Sequence, residues 1–277
     1  MRFSSLFFIP LIVFIACEGG KMPEKGVSLT SITNIPESTW KRLSEKGIYF
    51  GHQSVGYNIL DGLKDVLKEN PQIKLSIVET HDQAMFNKPV FAHSALGKNM
   101  DPLSKIDAFA EFMEQGIGSK ADLAFFKFCF VDITADADVQ NIFAHYKNMM
   151  GNLRDIYPKT SFIHITVPLT TIQTGSKAWI KKLIGRPIGG YSDNMKRNEF
   201  NDMLRKEYGG REPIFDLPNI ESTYPSGKQE SFTKDGLIYC AMVPQYTQDG
   251  GHLNEKGRKI VGQELLVLLA KLSEKSK

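Results

Sequence analysis

Residues 121–131, Ala-Asp-Leu-Ala-Phe-Phe-Lys-Phe-Cys-Phe-Val, constrain this chain more than any other stretch. The run is nearly continuous in apolar residues and bounded by polar ones, so it lacks the alternation of a strand with one wet face. A strand of this kind is buried on both faces, as at the centre of a parallel sheet covered by helices on each side. Parallel strands need crossover connections, so the rest of the chain is expected to alternate strand with helix.

That alternation is present. Residues 38–45 have helical spacing around Trp40 and Leu43, and Gly47 breaks the pattern. A first strand follows through Ile48, Tyr49 and Phe50. Residues 55–68 then place Val55, Ile59, Leu60, Leu63, Val66 and Leu67 on one helical face. Residues 73–78 are rich in β-branched positions and read as the second strand. Residues 80–99 have no clean period and carry His81, Asp82, His93, Gly97 and Asn99; a polar connection of that length inside a compact domain points to function.

Asp101 is placed to cap a helix with Pro102 in its first turn and an apolar face through Ile106, Phe109, Phe112 and Met113. A further helix spans 138–157, stopped by Pro158, and a fourth strand spans 161–167. From 169 to 190 the periodicity fails, which suggests an excursion near a strand end with Trp179 and Ile180 at its lip. A helix over 193–208 and a short fifth strand over 212–217 follow, residues 218–248 are loop-rich, and Asn254 caps the last helix. The prediction is an α/β fold, a three-layer α/β/α sandwich on a parallel sheet of five strands.

Ser54 stands where the first strand gives way to the first long helix. Two readings apply to it. It is a helix N-cap, a role serine fills often, or it is a nucleophile presented at the carboxyl edge of the sheet, where a helix N-terminus supplies backbone N–H groups to a developing oxyanion. Asp249 and His252 tip the balance. They lie three residues apart just before the last helix, in Asp249-Gly250-Gly251-His252, and the topology brings that loop to the same sheet edge as Ser54. A hydroxyl, an imidazole and a carboxylate are what acyl transfer through a covalent serine intermediate requires.

With a serine just after the first strand and an Asp-x-x-His just before the last helix, the chain resembles the SGNH hydrolase superfamily, the GDSL-type esterases, over roughly residues 46–272. The resemblance implies a flavodoxin-like sheet of five strands, Ser54 as nucleophile, His252 as general base and then acid, and Asp249 as its orienting partner. It also implies that the backbone N–H of Gly97 serves the oxyanion hole. The family's third block, usually Gly-x-Asn-Asp, reads Cys129-Phe130-Val131-Asp132 here, so its asparagine is missing. Asn99 is the candidate replacement donor, set against the reading that it merely shapes the turn before Asp101. The first block also diverges, with Gly51-His52-Gln53-Ser54 in place of Gly-Asp-Ser; His52 is read as a packing or hydrogen-bonding residue.

Residues 1–17 read as a lipoprotein-type signal peptide: Arg2 is basic, residues 6–15 are apolar but short for a bilayer, and Phe14-Ile15-Ala16-Cys17 resembles a lipobox. A plain secretory signal is the alternative. Cys17 is then the lipidation site, residues 18–37 a tether, residues 38–277 the folded domain, and the setting the bacterial cell envelope. Cys129 and Cys240 are taken as structural.

A formal charge of +3 spread over 277 residues leaves no footprint for nucleic acid. Lys127 interrupts the central apolar run and is expected to pair with Asp132 or Asp122, or to point into the site. The histidines lack zinc-ligand spacing, and the proposed chemistry requires no cofactor. His164 reads as a satisfied core histidine. The candidate triad predicts an ester hydrolase, and the resemblance to exported esterases of this superfamily implies a substrate with a small acyl group carried by a carbohydrate or similar hydroxyl. The alternatives are an acyltransferase using the same triad and a catalytically weak glycan-binding lipoprotein.

Overall fold

The computed structural model describes residues 31–176, 183–184 and 188–274. The signal segment with Cys17, residues 18–30 of the expected tether, and Trp179 and Ile180 lie outside the described residues. At the near end of the tether stretch, Ile32 is buried in the same core cluster as Trp40.

Helix α1 (Glu37–Ser44) leads into strand β1 (Gly47–His52) and helix α2 (Val55–Glu69). Strands β2 (Ile77–Glu79) and β3 (Val90–Ala95) precede α3 (Pro102–Phe112), which is followed by β4 (Leu123–Phe126), α4 (Val139–Ile156) and β5 (Ser161–Ile165). The chain continues through α5 (Tyr191–Tyr208), β6 (Ile214–Phe215), α6 (Leu217–Glu221), the strands β7 (Ser231–Lys234) and β8 (Leu237–Cys240), and the final helix α7 (Glu255–Ser273).

The sheet order is β2-β3-β1-β4-β5-β6, and every pairing in it is parallel. The three-layer α/β/α sandwich therefore holds, but the sheet has six strands rather than five. The extra strand came out of the long connection over 80–99. His93 and Ser94 hide β3 in the sequence because they interrupt its apolar run, yet both are buried and satisfied: His93 Nδ1 lies 3.1 Å from His52 Nε2, and Ser94 Oγ lies 2.8 Å from the Tyr49 hydroxyl. β3 takes the place beside β1, leaving β2 at the edge.

All six residues of β1 are buried. Ile48 and Phe50 face one core together with α1, α2 and α7; Tyr49 faces the other, with α3, α4 and α5. The central strand signal is likewise confirmed in place but shortened, since the sheet pairing of β4 stops at Phe126 and residues 127–131 leave the sheet. The loop-rich stretch over 218–248 contains α6 and a β7–β8 hairpin. Asp235-Gly236 makes its turn with φ of 52° and 78°, the doubly positive geometry that an Asp-Gly pair favours.

Helices α2 and α7 cross through paired glycines. A Cβ on Gly62 would stand 1.8 Å from the Arg258 carbonyl oxygen, and one on Gly262 would stand 2.5 Å from the Gly62 carbonyl carbon. That contact fixes α7, and with it the loop that precedes α7, against the helix that begins after Ser54. Gly62→Ala is expected to destabilise the fold by more than about 2 kcal/mol. Gly151→Ala, in α4 with nothing nearer than 4.0 Å, is expected to stabilise it by roughly 0.5–1 kcal/mol. Urea denaturation of the two variants checks both signs.

Candidate active site

β1 ends at His52, and the chain turns sharply into α2 through Gln53 and Ser54. Ser54 has φ 50° and ψ −110°, a positive φ on a non-glycine residue. It occupies the N-cap position of α2, but its side chain makes no capping hydrogen bond. Its Oγ lies 2.6 Å from His252 Nε2 instead. Of the two sequence readings, the local geometry thus gives Ser54 the place of a cap and the contacts of a reactive hydroxyl.

The partner loop is built by Asp249. Its Oδ1 accepts from the backbone N–H of Gly251 at 2.9 Å and of His252 at 2.8 Å, and from Thr247 Oγ1 at 3.2 Å. Its Oδ2 accepts from His252 Nδ1 at 2.7 Å. A carboxylate only accepts, so the imidazole proton sits on Nδ1 and Nε2 is left to accept from Ser54. Burial pushes the Asp249 carboxyl up, but the Gly251 and His252 N–H groups and the imidazole outweigh it and hold it below the usual carboxylate range. Gly250 has φ 93°, and its carbonyl accepts from Thr171 N at 2.9 Å, which ties this loop to the exit of β5.

Phe130 packs edge-on to the His252 ring, with centroids 5.4 Å apart, and covers Gly251 so closely that a Cβ there would stand 2.7 Å from its ring. Behind Phe130 lies Arg197, whose guanidinium stacks on the ring at 5.7 Å and donates to the carbonyls of Phe130 and Ile133 and to Thr170 Oγ1. Neither residue was singled out from the sequence. A signal existed: Asn194, Arg197, Asn198 and Asn201 are all buried at helical spacing on α5, a polar stripe facing inwards that binds the backbones of Val167 and Thr170 after β5 and of Cys240 at the end of β8.

The segment with Gly97 and Asn99 meets the Ser54 turn through Gln53, whose amide Nε2 donates to the carbonyls of Leu96 and Gly97; Leu96 N also donates to the His52 carbonyl at 3.0 Å. Gly97 has φ 54°. Asn99 is exposed, with its Oδ1 accepting from Lys105 Nζ at 2.9 Å.

His52 sits behind the nucleophile, packed where a Cβ on Gly56 would touch its ring at 2.4 Å. Burial, with help from Lys127 and His93, depresses it from 6.5 to about 2, so it is neutral at physiological pH. Lys127 pairs with neither expected carboxylate. Asp132 is bound by Lys105 and Asp122 by Lys46; the Lys127 ammonium donates instead to the Phe128 carbonyl at 3.0 Å and lies 3.5 Å from Cys129 Sγ. Lys127 follows β4 directly, and its fully buried side chain is held by the carbonyl of the next residue rather than by a carboxylate. Cys129 and Cys240 are buried thiols. His164 is satisfied by Tyr146 at 2.7 Å and Glu212 at 3.0 Å. Among the described residues, no group of three or more His, Cys, Asp or Glu side chains is arranged to hold a metal ion.

No protein-family model matches the chain, and no curated protein does. Solved structures with a similar outline include a protein from Streptococcus pneumonia assigned as a platelet activating factor (15% identity, TM-score 0.47, covering 84% of this chain and 90% of that one). Another is a protein of Desulfitobacterium hafniense assigned to the G-D-S-L lipolytic family (10%, TM-score 0.45, 80% and 99%). A third, from Chitinophaga pinensis and assigned as a lipase, aligns at 15% identity and TM-score 0.42 over 81% and 97%. These likenesses are remote, and the chemistry below rests on this chain's own residues.

Glu221 underpins the site from α6. Its Oε2 accepts from Leu169 N at 2.9 Å while Oε1 is buried without a hydrogen-bond partner. Burial raises its carboxyl from the usual 4.5 to about 8, against the opposing pull of the Leu169 N–H, Lys127 and Arg197. The folded state therefore holds this proton while the unfolded chain releases it. Stability from this group is full below about pH 4.5 and is lost at up to about 1.4 kcal/mol per pH unit as the pH rises towards 8. His52, with its depressed value, works in the opposite sense below 6.5. Comparison with Glu221→Gln isolates the carboxyl: the variant is expected to gain on wild type steadily between pH 5 and pH 8 in urea denaturation, and a constant difference between the two would remove the assignment.

Proposed function

We propose that the protein is a serine ester hydrolase. Ser54 Oγ attacks the ester carbonyl while His252 Nε2 takes its proton, Asp249 holding the imidazole in the required tautomer and stabilising its positive charge. The tetrahedral oxyanion forms against the backbone N–H groups of Ser54 and Gly97 and the side-chain amide of Asn99. His252 then returns the proton to the departing alcohol, and water, activated by the same histidine, releases the acyl group from Ser54.

The observation that carries this reading is the unbroken chain from Asp249 Oδ2 through His252 to Ser54 Oγ, with contacts of 2.7 and 2.6 Å, combined with a serine whose strained backbone spends its hydroxyl on the histidine rather than on its own helix. Asp249 and His252 stand half-exposed, at 57% and 45%. An accessible dyad suits an acyl group presented on a bulky polar carrier, and a small acyl ester of a carbohydrate or similar hydroxyl is the substrate class proposed. The setting proposed is the cell envelope, with the domain anchored through a lipid on Cys17.

The second reading, a catalytically weak binding protein, is favoured by the missing third-block asparagine alone. Short-chain p-nitrophenyl esters separate the two. Ser54→Ala is expected to lower kcat by about 10⁴-fold or more, as loss of a nucleophile does in other serine hydrolases. Asn99→Ala is expected to lower kcat by roughly a hundredfold with little change in KM. Equal activity in wild type and Ser54→Ala, or none in wild type across a broad ester panel, contradicts the reading.

A further inference from the structure

Lys105 and Asp132 form an ion pair at 2.5 Å with both side chains fully buried. Such a pair is a poor source of stability: the desolvation cost is large, and apolar residues of similar shape commonly hold a fold as well or better. What this pair does hold is the loop from Gly97 to Met100.

Gly97 lies directly on Lys105, where a Cβ would stand 2.7 Å from the Lys105 backbone nitrogen and 2.8 Å from its Cγ. Lys98 N donates to the Oγ of neighbouring Ser104 at 2.9 Å. Asn99 Oδ1 accepts from Lys105 Nζ at 2.9 Å. Met100 is 78% exposed and has φ 67°, a strained conformation that its own packing does not explain. Its N–H donates to Asp132 Oδ1 at 2.9 Å. The other carboxylate oxygen, Oδ2, accepts from Cys129 N at 2.6 Å as well as from Lys105. One buried pair therefore joins the segment after β3 to the segment after β4.

The chemistry of lysine adds direction. An ammonium has donors only, so the Asn99 amide must turn its oxygen to Lys105 and present its N–H₂ on the opposite side. We propose that the Lys105–Asp132 pair is a positioning device that sets the Gly97 turn and fixes the donor end of Asn99 for the oxyanion, taking over the placement that an asparagine on the third-block segment would otherwise provide. This rests on the serine-hydrolase reading. Neither residue touches the substrate.

The test removes the pair without leaving a lone buried charge. Lys105→Met/Asp132→Leu is expected to fold with a cooperative transition, to keep KM within about threefold, and to lose about a hundredfold in kcat on a short-chain ester. Adding Asn99→Ala to this background is expected to cost less than about threefold, because the amide is no longer aimed. If the double variant does not fold, Lys105→Met/Asp132→Asn, which also leaves no buried charge and keeps a side-chain acceptor for a backbone N–H of Met100 or Cys129, carries the same readings. A folded variant with wild-type kcat, or an Asn99→Ala effect that multiplies in full, overturns the proposal while Ser54-dependent activity of wild type leaves the hydrolase reading standing. A wild type without Ser54-dependent activity overturns both.

Discussion

The hydrogen bond between Ser54 and His252 joins residues 198 positions apart, and the rest of the molecule is arranged so that it can form. On one side stands a serine in a left-handed turn, a conformation that costs on the order of 1–3 kcal/mol and persists only where surrounding structure enforces it. Here β1 enforces it from behind, buried along its whole length between β3 and β4. Gln53 staples the turn to the carbonyls of Leu96 and Gly97, and Cys129 Sγ reaches the Gln53 carbonyl at 3.4 Å. On the other side, His252 is set by a self-contained loop around Asp249, itself fixed by the glycine crossing of α7 on α2.

These supports share a feature: polar groups in the interior are spent on backbone atoms of loops and strand ends. Asn194, Asn198 and Asn201 on α5 bind Thr170, Cys240 and Val167; Glu221 binds Leu169; Arg197 binds Phe130 and Ile133. A parallel sheet leaves its catalytic edge to loops, whose backbone groups find no partners in regular structure and must be satisfied by side chains when buried. The buried Lys105–Asp132 pair belongs to the same scheme. It holds two strand exits together, and its position beside Gly97 puts it on the proposed oxyanion side of the site.

The sequence was legible where burial is periodic. β1, β4, β5 and the long helices fell close to their expected places, because apolar spacing is imposed by the layers themselves, and Asp101 and Asn254 were found as caps through a local contact that needs no tertiary knowledge. The candidate triad was legible for a different reason: Asp249 and His252 make their own geometry within one turn, so only Ser54 had to be placed by topology. β3 is hidden in the sequence since His93 and Ser94 are satisfied by His52 and Tyr49 on β1, a pairing that no spacing rule reveals. Lys127 is given the wrong partners by sequence because Asp132 belongs to Lys105, which lies on the buried face of α3 with Ile106 and Phe109 although a lysine is ordinarily assigned to solvent. Arg197 and Phe130 act through a contact between distant segments and left only the polar stripe on α5 as a trace.

The central claim is that Ser54 is a nucleophile activated by His252 and Asp249. Its most direct test is to treat residues 18–277 with a fluorophosphonate and locate the adduct by peptide mass spectrometry. A single phosphonylated site at Ser54 is expected, with labelling slowed severely in His252→Ala although the variant remains folded. Labelling at another serine, or labelling of Ser54 at an equal rate without His252, would contradict it.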